Sequence, residues 1–228
     1  MRRTLKSLLP AVLRDWRGFY FRGSTLTASE PTLGVLIDYQ NIHLTARDLY
    51  APIGTSARDT LVHPLRFAEQ LLTIRASKAN DPWLASAILT SVCVYRGTPS
   101  NRHQPDLYSA SQRQRSEWTR DPRVSVHYRS LRYPPRWPAE PAREKGIDVL
   151  LAVELVSRAM NHEADVLVCA THDTDLEPAL EMALSKGRCK IETAGWEGGR
   201  RLRVPGRKIW HTTLGASAFV ESRDRRPY

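Results

Sequence analysis

Val166-Leu-Val-Cys-Ala-Thr-His-Asp-Thr-Asp175 sets five apolar residues shortly before two carboxylates, and Leu33-Gly-Val-Leu-Ile-Asp38 is an apolar run that also ends in one. A short, unbroken apolar run is how a strand buried on both faces reads, and such strands belong to parallel sheets. Working outward, the first of these runs extends back to give a strand over Ala164 to Ala170, and residues Ser86 to Tyr95, Val124 to Tyr128 and Cys189 to Ala194 read as further strands. Helical patterns fall between them, near Ile42 to Tyr50, Pro64 to Ser77, Asp106 to Arg120, 147 to 160 and Leu176 to Ser185, the last stopped by Gly187. Residues 147–160 are apolar nearly all round, as a helix enclosed on several sides must be. Strands alternating with helices specify an α/β domain with a mostly parallel, doubly wound, Rossmann-like sheet flanked by helices.

A chain of 228 residues with 41% hydrophobic content can bury one sizeable core, and nothing in it requires two. The expected division is a single domain over residues 31–215, a basic extension over 1–30 and a basic tail over 216–228. In the extension, Leu5, Leu8, Leu9, Val12, Leu13 and Trp16 recur at helical spacing, interrupted by Pro10. Such a face offers a route to oligomerisation or to docking on the domain. Cys93, Cys169 and Cys189 lie far apart in apolar surroundings and read as buried thiols in a reducing cytoplasm. No apolar stretch approaches the roughly 18 to 20 residues that span a bilayer, so no membrane partner is expected and the cytosol is the expected compartment.

The formal charge of +10 favours a polyanionic partner, of which nucleic acid is the commonest. That charge is unevenly placed. Residues 1–22 carry six bases and one acid, residues 102–143 nine and four, and residues 200–228 eight and two. Residues 144–199 reverse the sign, with eleven acids and five bases. An acidic centre between basic segments suits phosphodiester chemistry, in which carboxylates hold cations and arginines hold the backbone. In the basic middle segment Arg129, Arg132 and Arg136 stand among Tyr128, Tyr133 and Trp137, a mixture suited to single-stranded RNA. Trp118 reads instead as core on an amphipathic helix. The same charges are also compatible with a solvated face.

In open α/β sheets, functional groups gather beyond the carboxyl ends of the strands. Asp38 ends one strand, Asp173 and Asp175 follow another, and Asp148 enters the apolar helix after Gly146. If those strands are neighbours, four carboxylates converge at one rim and repel until they are protonated or neutralised by cations. Hard oxygen donors select Mg²⁺ or Mn²⁺. Each residue also has a plainer reading. Asp38 fits a strand-end cap and Asn41 a helix N-cap, while Glu144, Asp148 and the Asp173–Asp175 pair suit a helix N-terminus.

Three segments resemble the successive signatures of the NYN domain, a family of PIN-like ribonucleases. They are Ile37-Asp-Tyr-Gln-Asn41, then Glu144-Lys-Gly-Ile-Asp148 with the helix running to Arg158, and then His172-Asp-Thr-Asp-Leu-Glu-Pro178. The resemblance covers about residues 31–195. It implies a PIN-like fold and Mg²⁺- or Mn²⁺-dependent hydrolysis of RNA by an endoribonuclease, leaving a 5′-phosphate. It carries the catalytic and metal-holding positions onto Asp38, Asp148, Asp173 and Asp175, and the first-motif asparagine onto Asn41. Family members commonly have a Ser-Gly pair before the Asp-x-Asp and an aromatic residue after it, where this chain has Thr171, His172 and Leu176. His172 is therefore expected to touch substrate or to close the site, and Asn41, Arg129, Arg132 and Arg136 are expected to touch substrate. Glu154 stands where a second helix aspartate is often found, but it lies six residues beyond Asp148 and so on another side of the helix.

Two other functions fit parts of the pattern. A haloacid dehalogenase-type phosphatase would use Asp173-Thr-Asp175, but that chemistry places its Asp-x-Asp directly after the first strand. A non-catalytic RNA-binding module would keep the fold and lose the metal. Because the first apolar strand begins at Leu33, deletion of residues 1–28 should leave a domain that melts in one cooperative step, measured by circular dichroism. Loss of that transition would assign the Leu5 to Trp16 face to the core.

Overall fold

A computed structural model describes residues 30–228. The expected N-terminal amphipathic helix lies outside the described residues. In chain order the elements are β1 (Thr32–Asp38), α1 (Tyr39–Tyr50), α2 (Pro64–Lys78), the short α3 (Pro82–Ala85), β2 (Ile88–Thr98), α4 (Pro105–Trp118) and β3 (Val124–Ser130). They continue with α5 (Ile147–Asn161), β4 (Val166–Ala170), α6 (Glu177–Lys186), β5 (Lys190–Trp196), β6 (Trp210–Leu214) and α7 (Ala216–Ser222). The six strands form one sheet in the order β3-β2-β1-β4-β5-β6, and every neighbouring pair is parallel.

The apolar runs are continuous because both faces of the sheet are covered. Leu33, Val35 and Ile37 of β1, with Val166, Val168 and Ala170 of β4, face one way, against α1, α2, α7 and Trp118. Leu36, Leu167 and Cys169 face the other way, against Ile147, Leu151, Leu155 and Ala159 of α5 and Leu180 and Ala183 of α6. This is the two-residue alternation of strands, with helices on both sides. Trp118 is fully buried, as expected. The three thiols are free; Cys93 and Cys169 are buried, while Cys189 is only half-buried.

The first layer holds one ion pair in an otherwise apolar setting. Arg75 of α2 meets Glu192 of β5 in a bidentate contact, with Nε–Oε2 at 2.7 Å and Nη2–Oε1 at 3.0 Å, and both side chains are almost fully buried. Arg75 Nη1 also donates to the Leu84 carbonyl, and Lys190 Nζ lies 2.8 Å from Glu192 Oε1. The pair fixes α2 against the far half of the sheet.

Two expectations need correction at the C-terminus. Residues 210–214, not expected as a strand, form the edge strand β6, and the supposed tail 216–228 packs into the domain. Helix α7 lies on α2, Val62 pairs with Arg223, and Asp224 is 4% exposed. Asp224 Oδ2 accepts from Trp118 Nε1 at 2.8 Å and from the Tyr228 hydroxyl at 2.6 Å. The basic charges of the tail hide a segment in which Asp224 is a buried acceptor for a core tryptophan.

Removing one partner of a buried ion pair strands the other charge. Glu192→Ala should lower stability by about 3 to 5 kcal/mol in a denaturant titration, whereas Arg75→Met with Glu192→Leu should recover most of the loss. A Glu192→Ala variant as stable as the parent would show that Arg75 reaches water.

Candidate active site

The strand order turns back between β1 and β4, so the crevice beyond their carboxyl ends is the point at which such sheets bind ligands. Asp38, the last residue of β1, is the N-cap of α1: its Oδ1 accepts the Asn41 amide at 3.4 Å. Its Oδ2 accepts the Thr171 hydroxyl at 3.0 Å across the switch point. Thr171 Oγ1 accepts the Asp173 amide at 3.0 Å, and Asp173 Oδ1 accepts the Asp175 amide at 3.0 Å. A single hydrogen-bonded chain therefore ties the end of β1 to the loop after β4.

Asp38, Asp148 and Asp173 line an open cleft of about 420 Å³, together with Gln40, Asn41, Thr45, Asp48, Ile147 and Glu144. Asp148 stands in the first turn of α5, where the helix dipole favours an anion. The chain reaches that turn through Gly146, whose φ of +74° is left-handed backbone that suits glycine. Asp175 is not brought into the cleft. It is exposed and borders a neighbouring hollow with Glu177, Glu181 and Arg203.

Glu144 takes the fourth place instead. The sequence gives it no stronger role than a favourable helix terminus, although it sits inside the second motif. Its Oε1 accepts the Gly97 amide and the Gln40 side-chain amide, which donates at 2.7 Å. Residue 144 follows a loop, so its reach to the end of β2 had no periodic signal. Glu154 is paired with Arg158 at 3.1 Å, in keeping with its exclusion from the site.

His172 is fixed at both nitrogens of its ring. Its Nδ1 donates to the Arg200 carbonyl at 2.8 Å and its Nε2 accepts the Trp196 amide at 3.0 Å, so both ring nitrogens are engaged. Gly195 and Gly199 pack so closely on the ring that a Cβ at either would collide with it. Burial lowers its pKa and keeps it neutral. His172 therefore fills a glycine-lined slot where family members commonly carry a small residue. Asn41 Oδ1 accepts the His172 amide at 2.7 Å, which makes Asn41 the clasp between α1 and the loop after β4.

Of the basic residues, Arg129 borders the start of α5, with Nε donating to the Lys145 carbonyl at 3.3 Å. Arg132 and Arg136 are exposed and do not line the cleft; Arg136 lies 3.6 Å from Glu140. Trp137 packs edge-on against Tyr133, which is itself stacked on His103. On the other side Arg200, Arg201 and Arg203 border a hollow with Thr174.

The cleft is short of positive charge. The Asp38 carboxyl is pushed up to about 7, first by burial and then by Glu144 and Asp173, against the lowering effect of its two hydrogen bonds. Burial also raises Glu144. Among the described residues no three His, Cys, Asp or Glu side chains stand close enough to cage a metal ion. Mg²⁺ does not require a cage, because it keeps several waters and binds through one or two carboxylates together with phosphates. An all-oxygen donor set with a destabilised buried anion fits such an open site.

A sequence profile of the NYN domain matches residues 32–201. The chain belongs to the NYN domain family. That membership places it with the PIN-like nucleases, on the α/β sheet described above. No curated protein matches it significantly. A solved protein of unknown function from Vibrio parahaemolyticus is 14% identical, with 77% of this chain and 87% of that chain covered and a TM-score of 0.48. Among the described residues no helix is long and apolar enough to cross a membrane.

The Asp38 shift has a definite sign in stability. The folded state binds the extra proton between the ordinary value of 3.8 and about 7, so this carboxyl costs stability as pH rises through that window. His43, lowered to about 4 by burial, acts oppositely between about 4 and 6.5. Comparing Asp38→Asn with the parent cancels the histidine contribution. In chelator, the variant's stability relative to the parent should climb from pH 4 to 7 by up to about 4 kcal/mol and then level off. Urea titrations across that range check it, and a pH-independent difference would mean that Asp38 is well solvated.

Proposed function

We propose that this NYN domain is a divalent cation-dependent ribonuclease that cuts single-stranded RNA at the cleft between β1 and β4. The observation that carries the reading is the buried, anion-crowded Asp38 carboxyl at the switch point, in a chain whose family is nucleolytic. Asp38 and Asp173, with Asp148 at the rim, would hold Mg²⁺ or Mn²⁺. The bound cation would offset the charge developing on the phosphate and lower the pKa of a coordinated water.

The chain's own groups supply the rest. Thr171 and Asn41 hold Asp38 and the Asp173 loop in one orientation, so that little reorganisation remains at the moment of reaction. Glu144, with its carboxylate fixed by Gly97 and Gln40 and its affinity for protons raised, can take the proton from the attacking water. The water oxygen bonds to phosphorus from one side as the bond to the ribose 3′-oxygen breaks on the other; the 3′-oxygen takes a proton from solvent and leaves as a hydroxyl, and the product carries the 5′-phosphate. Arg129 on one flank and Arg200, Arg201 and Arg203 on the other hold neighbouring phosphates.

Asp38→Asn, Asp148→Asn and Asp173→Asn should each lower the cleavage rate of single-stranded RNA with Mn²⁺ by roughly 100-fold or more, and pairs should lose little beyond single variants. Asp175→Asn should be milder because it stands outside the cleft, and Glu154→Gln should be near the parent. Folding of each variant is checked by a thermal melt. Cleavage that survives both chelator and Asp173→Asn would exclude the mechanism. A parent that binds RNA but neither cuts it nor shows a metal-induced rise in melting temperature would be a binding module.

A further inference from the structure

A larger cavity, of about 640 Å³, opens one strand over from the acidic cleft, beyond the carboxyl end of β2. Gln40, Leu44 and Glu144 line both hollows, so the Gln40–Glu144 contact is the partition between them. From this arrangement we propose that the cavity receives the base of the nucleotide adjoining the cut phosphate and so determines which RNA is cleaved. The proposal rests on the nuclease reading and adds to it a specificity pocket.

The volume lies within the usual range for small-ligand sites, and Leu44, Leu61, Leu107 and Leu131 give it apolar walls. A flat cation is built into it. Arg96 donates from Nη1 to Gln114 Oε1 at 2.8 Å and lies 4.6 Å from the Tyr39 ring centre and 5.5 Å from that of Trp118. A guanidinium held in one plane is a surface on which an unstacked base can rest. Asp224 and Glu144 line the interior as carboxylates that accept from Trp118, Tyr228 and Gly97, and Arg226 lies 3.8 Å from Asp224. The exposed Arg58, Arg225 and Arg226 and the half-buried Arg223 also border the cavity. The combination of apolar walls, a planar cation, inner acids and exposed arginines matches a neutral ring inside with its phosphate outside.

The test uses short single-stranded RNAs in which one abasic ribose is moved stepwise past the cut, cleaved by the full chain with Mn²⁺. One position next to the cut phosphate should raise KM roughly tenfold or more when its base is missing, with a smaller change in kcat. Ala110→Phe, which fills the cavity from α4, should impose the same loss on intact RNA and almost none on the abasic strand, since both remove one interaction. If that variant melts early, Leu107→Trp fills the same space from one turn away. An abasic series without a sensitive position, or a folded Ala110→Phe that treats both strands as the parent does, overturns the proposal. If the parent cuts no RNA, the nuclease reading fails by itself, and the cavity is judged by calorimetry with adenosine monophosphate and ribose phosphate on metal-free protein. Base-dependent binding that Ala110→Phe abolishes supports the pocket, whereas no binding of either removes it. Inhibition by the free nucleotide without any abasic effect would reassign the cavity to an effector and overturn its role in substrate choice.

Discussion

A carboxylate taken out of water must find donors, a proton or a cation, and Asp38 is placed where these three compete. Its backbone ends the central strand and starts α1, so it cannot be moved without uncoupling β1 from the helix that covers it. Its two oxygens are divided between that helix and Thr171 on the neighbouring strand. The parallel order of the sheet brings those partners together, since β1 and β4 are adjacent only because the chain crosses back over the sheet. The acidic cleft, the Asn41 clasp and the orientation of the Asp173 loop all follow from satisfying one side chain.

The central strands could be read from the sequence because burial on both faces leaves unbroken apolar runs, and both Asp38 and Asp173 could be placed from the ends of those runs. β6 was not legible. Trp210-His-Thr-Thr-Leu214 is a polar edge segment that, among the described residues, pairs with β5 alone, and it carries no apolar run of its own. The C-terminal segment was hidden by its charge, because Arg223, Arg225 and Arg226 suggest solvent while the burial is carried by Phe219, Ser222 and Asp224.

The candidate site was partly legible for the same reason. Residues fixed by regular elements fell where spacing put them. Asp175 did not, because it lies in a single 3-10 turn over Thr174–Leu176 capped by Asp173, and a two-residue spacing carries no direction in such a turn. The setting of His172 was not legible because its two glycine neighbours, Gly195 and Gly199, come from the next strand and its following turn. Only the fold reveals that their missing side chains make room for a ring. Glu144 was undervalued because its partners, Gly97 and Gln40, lie on two other elements.

The docking of the C-terminal segment has a further consequence. Residues 223–228 border the cavity beside the cleft, with Tyr228 anchored through its hydroxyl to Asp224. Anything joined to that residue, whether a purification tag, a fluorophore or another domain, leaves from the edge of the cavity and shares space with an incoming strand. A dye attached there would report on occupancy of the cavity, and a bulky fusion there would act as a plug. Attachment at the start of β1, at the opposite rim of the sheet, has neither effect on the cleft.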